Sequence, residues 1–219
     1  MEIKVMKPIL GGNQCIADTN RRDFKARELY LINVMASPGA GKTSTLMRLL
    51  PELQDEMPVG IIEGDIASSI DAEKFQKIGV PVIQINTGGG CHLDAEMIRR
   101  SVPELELAPG GFVFIENVGN LVCPASFDLG EDLKLVILSV SEGDDKPYKY
   151  IEIFEQADVV ILNKTDLKPY IDFNDEFFRR GVRALNENAP IFEVSCKTGQ
   201  GVRELAEWLK QQNRAKQAG

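Results

Sequence analysis

From residue 30 onward, the chain alternates between continuously apolar runs and amphipathic stretches. Several of the apolar runs have almost no polar alternation, which is typical of strands buried on both faces of a parallel sheet. All of them are strand-length and far short of the roughly 20 residues that a membrane-spanning helix needs. The predicted strands are YLINVMA (30–36), VGIIEGD (59–65), VPVIQIN (80–86), GFVFIEN (111–117), LKLVILSV (133–140), DVVILN (158–163) and PIFEVS (190–195).

Amphipathic stretches with helical spacing precede and separate these runs. The predicted helices are ADTNRRDFKAREL (17–29), KTSTLMRLLPELQ (42–54), DAEKFQKIG (71–79), HLDAEMIRRSVPEL (92–105), DEFFRRGVRALNEN (175–188) and GVRELAEWLKQQ (201–212). This β-then-α rhythm predicts a single-domain α/β fold with a mainly parallel, doubly wound sheet flanked by helices. The predicted divisions are an N-terminal extension with a helix (1–29), the sheet domain (30–213) and a tail expected to fray (214–219).

Composition and charge argue against several classes of partner. With 219 residues, 43% of them apolar, the chain is long enough for one full-sized core. A formal net charge of −8 gives no basic surface for nucleic acid or an anionic membrane. The N-terminus lacks the apolar segment of a secretory signal, so a cytoplasmic location is expected. The widely spaced cysteines are expected to be free thiols or metal ligands.

The stretch VMASPGAGKTS lies between a predicted strand and a long predicted helix. It fits the phosphate-binding loop pattern G-x-x-x-x-G-K-S/T and so predicts a P-loop NTPase. A glycine-rich turn that only caps the helix is the alternative. Lys42 is predicted to reach the β- and γ-phosphates, and Thr43 to bind Mg²⁺. The residues predicted to contact the phosphates are Gly39, Ala40, Gly41, Lys42, Thr43 and Ser44.

Two features of this loop affect its geometry. Pro38 has no amide proton, so the phosphate donors must come mainly from Gly39 onward, where the helix N-terminus adds partial positive charge. Ala36 stands where the pattern has its first glycine. A Cβ is strained at positive φ, so the sequence leaves the geometry at the start of the loop open.

A later apolar run ends in NKTD, residues 163–166. Asp166 can accept both N–H groups on the Watson–Crick edge of guanine, which adenine does not offer. A solvated loop or a helix cap is the alternative for this motif alone. The order of the motifs at strand ends instead matches the ligand-binding edge of an open α/β sheet. The residues predicted to brace the base and its loop are Asn163, Lys164, Ser195, Cys196 and Lys197.

The only histidine of the chain, His92, directly follows Cys91 and three glycines, and Cys123 follows a later strand. Thiolate and imidazole are ligands for zinc or nickel, with water, backbone or a second subunit completing the shell. Packing of the cysteines as small apolar side chains is one alternative. A Cys-His nucleophile is another, although adjacent residues rarely bring sulfur to nitrogen at hydrogen-bond distance.

These motifs together resemble one family closely, the hydrogenase nickel-incorporation GTPases, or HypB-type maturation proteins. Urease-maturation GTPases are similar, but they have Cys-Pro-His where this chain has Cys91 next to His92. The resemblance covers nearly the whole chain from residue 17. It is carried by NRRDF, SPGAGKTS, EGD with DAEKF, QINTGGGCHLDAEM, FIENVGNLVCPASFDLGE, SEGDDKPYKY, NKTDLKPYIDF and SCKTGQG.

The resemblance implies a GTPase that uses Mg²⁺ with GTP, dimerises with nucleotide and binds Ni²⁺ or Zn²⁺ through Cys91, His92 and Cys123. It also implies that the protein helps to load nickel into a hydrogenase large-subunit precursor, together with an accessory nickel chaperone. Some members hold extra nickel in an N-terminal cysteine or histidine cluster, for which this chain offers only Cys15. The alternatives are a non-enzymatic metal carrier with a structural nucleotide site and a urease-type nickel-delivery GTPase.

The predicted mechanism is GTP hydrolysis coupled to metal transfer, and two carboxylates at strand ends are its remaining candidate catalytic groups. Glu116 is expected to hold Mg²⁺ through water, and Asp65 to order Mg²⁺ or the attacking water, so the predicted catalytic set is Lys42, Asp65 and Glu116. A carboxylate that caps the next turn is the alternative for each strand end. Because Glu116 and Cys123 share one short segment, loss of the γ-phosphate is expected to move a metal ligand.

The transition state of phosphoryl transfer needs a cation beyond the phosphate-loop lysine. Lys146 and Lys149 in DDKPYKY are the candidates, acting across a dimer, and Lys149 is assigned to the nucleotide site. A solvated surface is the alternative for both lysines.

Overall fold

The computed structural model describes residues 9–66 and 70–218. Its strands are β1 (Tyr30–Ala36), β2 (Val59–Asp65), β3 (Val82–Asn86), β4 (Phe112–Glu116), β5 (Leu133–Ser139), β6 (Val159–Asn163) and β7 (Ile191–Glu193). They form one seven-stranded sheet in the order β3-β2-β4-β1-β5-β6-β7. Every pairing in that sheet is parallel, as the apolar runs predict.

The strand positions agree with the sequence pattern, with small differences at the ends. β1 and β2 coincide with their predicted ranges. β3 begins at Val82 rather than at residue 80, because Pro81 has no amide proton to donate to the ladder. β7 ends at Glu193, two residues earlier than predicted, although the Val194 amide still donates to Leu162 O at 2.8 Å.

Helices connect the strands and cover both faces of the sheet. They are α1 (Ile9–Ala26), α2 (Lys42–Gln54), α3 (Ile70–Lys77), α4 (Ala95–Ser101), α5 (Lys146–Lys149), α6 (Ile151–Glu155), α7 (Asp175–Leu185) and α8 (Val202–Ala218). The sequence pattern did not predict the short α5 and α6. None of the helices in the described ranges is both long and apolar enough to cross a membrane.

The helix predicted over 92–105 is much shorter in the structure. It begins only at Ala95, because the Asp94 side chain accepts a hydrogen bond from the Met97 amide at 2.8 Å and caps the helix. Near its end, Pro103 lies in a short 3₁₀ turn over Val102–Leu105. The Cys-His pair therefore lies in the loop before α4.

The core has an apolar layer on each side of the sheet. Along β1, Leu31 packs in the layer with Ile98 of α4, whereas Ile32 packs in the opposite layer with Leu49 of α2 and Leu205 of α8. Burying one such side chain contributes about 1.5–3 kcal/mol. The two layers hold the strand ends in fixed positions at the carboxyl edge, where the candidate site lies.

Helix α1 is fastened to the sheet domain by buried polar contacts. Asn20 Nδ2 donates to Ala95 O at 2.8 Å and to Leu129 O at 2.9 Å. At Gly130, where φ is +84°, an added Cβ would lie 2.6 Å from Ala17 O, so the 128–131 turn fits closely against the helix. The separation of residues 1–29 from the sheet domain remains a prediction.

Helix α8 continues through residues 214–218, where the sequence predicts fraying. Lys216 Nζ lies 2.6 Å from Asp132 Oδ2 and 3.0 Å from Leu29 O, so this last turn is tied to the base of β1. Arg214 is also within 3.2 Å of the Glu56 carboxylate. These contacts give the end of the helix partners that its local sequence does not reveal.

Candidate functional site

The turn between β1 and α2 has the backbone of a phosphate-binding loop. Gly39 and Gly41 have φ angles of +78° and +104°, which side chains with a Cβ rarely adopt. At Gly41, an added Cβ would also lie 2.4 Å from the Asn163 amide nitrogen. Ala36 is buried in the last position of β1, paired with Ile137. The alanine therefore lies in extended backbone, where its Cβ causes no strain.

The loop after β6 holds the phosphate loop in place. Asn163 Nδ2 donates to Ala40 O at 3.0 Å, and Lys164 Nζ donates to Gly39 O at 2.7 Å. Lys164 has a left-handed φ of +57°, and its amide donates to Asn163 Oδ1 at 2.7 Å. The motif predicted to bind the base thus also fixes the carbonyl side of the phosphate loop.

A cleft of about 520 Å³ opens above the phosphate loop. Thr43 Oγ1 donates to Glu116 Oε1 at 2.7 Å inside it, and Asp65 lies on its wall. Burial raises the pKa of Glu116 to about 7, although the Thr43 hydrogen bond and the Lys42 charge oppose this shift. Burial lowers the pKa of Lys42, while the Glu116 charge acts in the opposite direction. The cleft therefore brings together a lysine, a hydroxyl and carboxylates, the groups that bind a magnesium nucleotide.

Glu63 is a second buried carboxylate in this cleft that the sequence analysis did not identify. It pairs in register with Glu116 on the adjacent strand. Burial, followed by the Glu116 charge, raises the pKa of Glu63 to about 8. Among the described residues, one oxygen of each carboxylate is buried without a hydrogen-bond partner. Buried acceptors without donors are typical of a site that binds a cation or its water.

The base-binding motifs lie together beside the phosphate loop. Ser195 Oγ donates to Asp166 Oδ1 at 2.7 Å and accepts from the Thr198 amide at 3.2 Å. Cys196 Sγ donates to Asn163 Oδ1 at 3.2 Å. These bonds join NKTD to SCK, the two turns that the sequence predicts to bind the base. Lys197 is exposed at the rim.

The candidate metal ligands also come together. The ligand atoms of Cys91, His92 and Cys123 all lie within 4.8 Å of one another. Cys91 Sγ is 3.5 Å from His92 Nδ1, so the expectation that adjacent residues keep sulfur and nitrogen apart is wrong here. Gly88 and Gly89 have positive φ angles and allow the tight turn before this pair.

The three candidate ligands lie at the surface, and their surroundings shift the pKa of two of them. Cys91 is exposed, and His92 and Cys123 are half-buried. A hydrogen bond with Cys123 raises the pKa of the Cys91 thiol. Burial lowers the pKa of His92, whose ring stacks on Phe127 at 3.7 Å. A neutral imidazole beside two thiols is a donor set that fits zinc or nickel once the thiols lose their protons.

Comparison with known proteins identifies the family of this chain. The family model for the CobW/HypB/UreG nucleotide-binding domain matches residues 30–193. A hydrogenase maturation factor HypB from Rhizobium leguminosarum bv. viciae is 48% identical over 208 residues, which cover 95% of this chain and 70% of that protein. The chain belongs to the HypB family.

Solved HypB structures have the same fold. HypB from Helicobacter pylori in complex with nickel superposes with a TM-score of 0.86 at 37% identity, covering 93% of this chain and 96% of that one. HypB from Archaeoglobus fulgidus also superposes with a TM-score of 0.86, at 34% identity, covering 93% of this chain and 99% of that one. The predicted family, P-loop fold and GTPase class are thus confirmed.

In the described part of the chain, the two lysines predicted to supply a transition-state cation contact other side chains. Lys149 forms an ion pair with Asp145, and Lys146 lies over the Tyr150 ring at 5.3 Å. Neither lysine lines the phosphate cleft within the described residues, so a role for either at the phosphates stays a prediction. Lys74 of α3, which the sequence analysis did not single out, does line the cleft.

Proposed function

We propose that this HypB-family GTPase is a metallochaperone that assists nickel insertion into a hydrogenase precursor, with the nucleotide state controlling metal transfer. The observation that carries this proposal is the short segment from Glu116 to Cys123. It begins at the phosphate cleft with a carboxylate bonded to Thr43 and ends at a thiol of the metal cluster. The nickel complex of the Helicobacter pylori relative supports the choice of cargo.

The nucleotide half of this function uses the residues around the phosphate loop. Lys42 would contact the β- and γ-phosphates, and Thr43 and Glu116 would hold Mg²⁺, Glu116 through water. Asp65 would order Mg²⁺ or the attacking water. When bound, Mg²⁺ neutralises charge that develops on the phosphates. The two buried carboxylate oxygens without partners support a cation site here.

In the proposed guanine site, the Asp166 carboxylate accepts hydrogen bonds from the two N–H groups of the base. The Ser195 hydroxyl already binds one oxygen of this carboxylate and holds it in orientation. Asn163 and Lys164 join the base loop to the phosphate loop through Ala40 and Gly39. The arrangement supports GTP and GDP as the nucleotides.

The metal half of the function uses Cys91, His92 and Cys123 as ligands for Ni²⁺ or Zn²⁺. Three protein ligands at the surface leave a coordination position for water, for backbone or for a donor from another subunit. Such a site can pass its ion to another protein, because the ion need not cross a closed shell. Nickel is therefore cargo at this site.

Coupling between the two halves follows from how the Glu116–Cys123 segment packs. Gly119 lies against the phosphate loop, so that an added Cβ would be 3.0 Å from the Pro38 ring. A shift of the segment on loss of the γ-phosphate would change the position of Cys123 relative to Cys91. A tenfold difference in metal affinity between nucleotide states corresponds to about 1.4 kcal/mol of coupling.

A homodimer, the hydrogenase large-subunit precursor and an accessory nickel chaperone are the proposed partners. In this homodimer, Lys146 or Lys149 would complete the partner's nucleotide site; within the described residues, neither lines the cleft of its own chain. The cytoplasmic location expected from the sequence remains a prediction.

The test is to titrate the purified protein with Ni²⁺ and with Zn²⁺ in the presence of GDP or a non-hydrolysable GTP analogue. Native mass spectrometry reports the metal stoichiometry and the oligomer, and competition with a chromophoric chelator gives the affinity. We expect the metal affinity to differ by at least about tenfold between the GDP state and the GTP-analogue state. Cys15→Ser, which changes an exposed cysteine outside the cluster, is the control. Equal affinities would instead support the carrier whose nucleotide is only structural.

A further inference from the structure

Asn117 lies one residue after Glu116 and is fully buried. Its Oδ1 accepts hydrogen bonds from the Leu93 amide at 3.1 Å and from the Val118 amide at 2.9 Å. Its Nδ2 donates to Asn33 Oδ1 at 3.1 Å. One side chain at the end of β4 therefore binds the backbone immediately after the metal ligand His92.

A second asparagine makes a parallel connection. The Asn120 amide donates to Ala36 O at 2.9 Å, at the start of the phosphate loop. Its side chain Nδ2 donates to Cys91 O at 3.2 Å, and its Oδ1 accepts from the Val122 amide at 3.0 Å. The Cys91–His92 turn is thus hydrogen-bonded at two points to the segment that runs from Glu116 to Cys123.

We propose that Asn117 is a positioning residue that transmits movement at the end of β4 to the Cys91–His92 turn. Asn120 provides a second, exposed link in the same direction. The covalent connection from Glu116 reaches only Cys123, whereas the asparagine links reach the other two ligands. All three ligands can therefore respond together when the nucleotide changes. This inference rests on the nucleotide-dependent metal binding proposed above.

A purely structural role for Asn117 makes a different prediction. Its donor side leads through Asn33 to Glu131, and Glu131 Oε2 accepts from the Leu129 amide, so this branch stabilises the fold below the site. Only the acceptor side reaches the metal-binding turn. Loss of stability alone would lower metal affinity in both nucleotide states equally. Loss of transmission would instead change the ratio of the two affinities.

Asn20→Ala is a matched control for Asn117→Ala. Both asparagines are fully buried, and both bind the backbone of the segment 93–95, Asn117 at Leu93 and Asn20 at Ala95. Asn20 lies on α1 and makes its bonds to Ala95 and Leu129, away from β4. The two variants therefore remove a similar bond from the same segment, and only Asn117→Ala interrupts the path from Glu116.

The experiment measures Ni²⁺ affinity with GDP and with a non-hydrolysable GTP analogue for the full chain and both variants. If the wild-type ratio is about tenfold, we expect it to fall below about twofold in Asn117→Ala and to persist in Asn20→Ala. A wild-type ratio in Asn117→Ala, or an equal loss in both variants, would overturn the inference and leave the proposed function intact. A ratio of one in the wild type would remove both.

Asn120→Ala keeps the inference testable if Asn117→Ala does not fold. The Asn120 side chain makes exposed hydrogen bonds, so its removal should leave the core intact. We expect this variant to reduce the ratio by about threefold, since the backbone link to Ala36 remains. An unchanged ratio, with Asn117→Ala unfolded, would contradict transmission through these asparagines.

Discussion

The phosphate cleft and the metal cluster differ in how much of each site the folded chain builds in advance. In the cleft, the functional groups lie at strand ends in the core, and Glu63, Glu116 and Asn163 are almost fully buried. In the cluster, Cys91 is exposed and its partners are half-buried in loops. The cleft is therefore a rigid, preorganised site, whereas the cluster is open on one side.

This difference matches two different tasks. Phosphoryl transfer depends on donors and charges that are fixed before the nucleotide arrives, because reorganisation during the reaction raises the barrier. Metal transfer requires that the ion can leave, which a closed four-ligand shell would oppose. A preorganised site beside an open one fits the proposed control of metal transfer by the nucleotide.

The largest expected effect comes from changing the base preference while leaving the metal cluster untouched. In Asp166→Asn, guanine loses two hydrogen bonds to a charged group, each worth about 1.5 kcal/mol, so kcat/KM for GTP should fall about 100-fold. Xanthosine triphosphate should become the better substrate, because the amide can donate to its extra carbonyl. Single-turnover hydrolysis of both nucleotides measures this change.

Asp172→Asn is the control for this change, since Asp172 is an exposed aspartate a few residues further along the chain. It should hydrolyse GTP at the wild-type rate. If Asp166→Asn keeps the wild-type preference for GTP, then Asp166 does not recognise the base.

The next effect concerns the metal cluster alone. Cys91→Ser replaces a thiol that can ionise with a hydroxyl that cannot near neutral pH, so Ni²⁺ and Zn²⁺ affinity should fall by about 10- to 100-fold. Because Cys91 is exposed, the metal-free Tm should stay within about 2 °C of wild type. Chelator competition and thermal denaturation measure the two quantities. A large drop in Tm would show that the cluster is part of the stable core.

The smallest expected effect concerns the raised pKa of the buried Glu63 carboxyl in the cleft. The pKa of Glu63 is raised to about 8 in the folded protein, so between about pH 4.5 and 8 the native state holds a proton that the unfolded chain has released. The free energy of unfolding should therefore decrease as the pH rises through this window. The glutamine in Glu63→Gln cannot ionise. Between pH 5 and pH 8, the free energy of unfolding of this variant should therefore decrease by about 1–2 kcal/mol less than that of the wild type, after allowance for solvent screening.

Thermal denaturation of the nucleotide-free protein in EDTA, at both pH values, measures this difference. The exposed Glu104→Gln is the control and should follow the wild type. Identical pH dependence in the wild type and Glu63→Gln would show that the Glu63 carboxylate does not carry the raised pKa.

The sequence predicted the elements that depend on local pattern. The apolar runs placed the strands because burial on both faces leaves a continuous apolar signal, and the glycines and Lys42 placed the phosphate loop. The Cys91, His92 and Cys123 cluster was anticipated from residue type and from strand ends, although the 3.5 Å approach of sulfur to Nδ1 was not. That approach depends on the glycine turn before Cys91.

The sequence could not predict features that depend on which strands are neighbours. Glu63 becomes important only because β2 and β4 are adjacent and in register, although they are far apart in the chain. Lys74 reaches the cleft through the position of α3, and the end of α8 is held by Asp132 at the base of the sheet. No local spacing contains this information.

The close fit of α1 against Gly130 and Ala95 has a consequence for any shortened form of this protein. A chain starting at Tyr30 would have every strand, yet it would expose the carbonyls of Ala95 and Leu129 that Asn20 now satisfies. These carbonyls lie at the beginning of α4 and in the turn before β5, so their exposure would disturb the segment that follows the Cys91–His92 pair. The N-terminal helix thus anchors the start of α4, next to the candidate metal ligands.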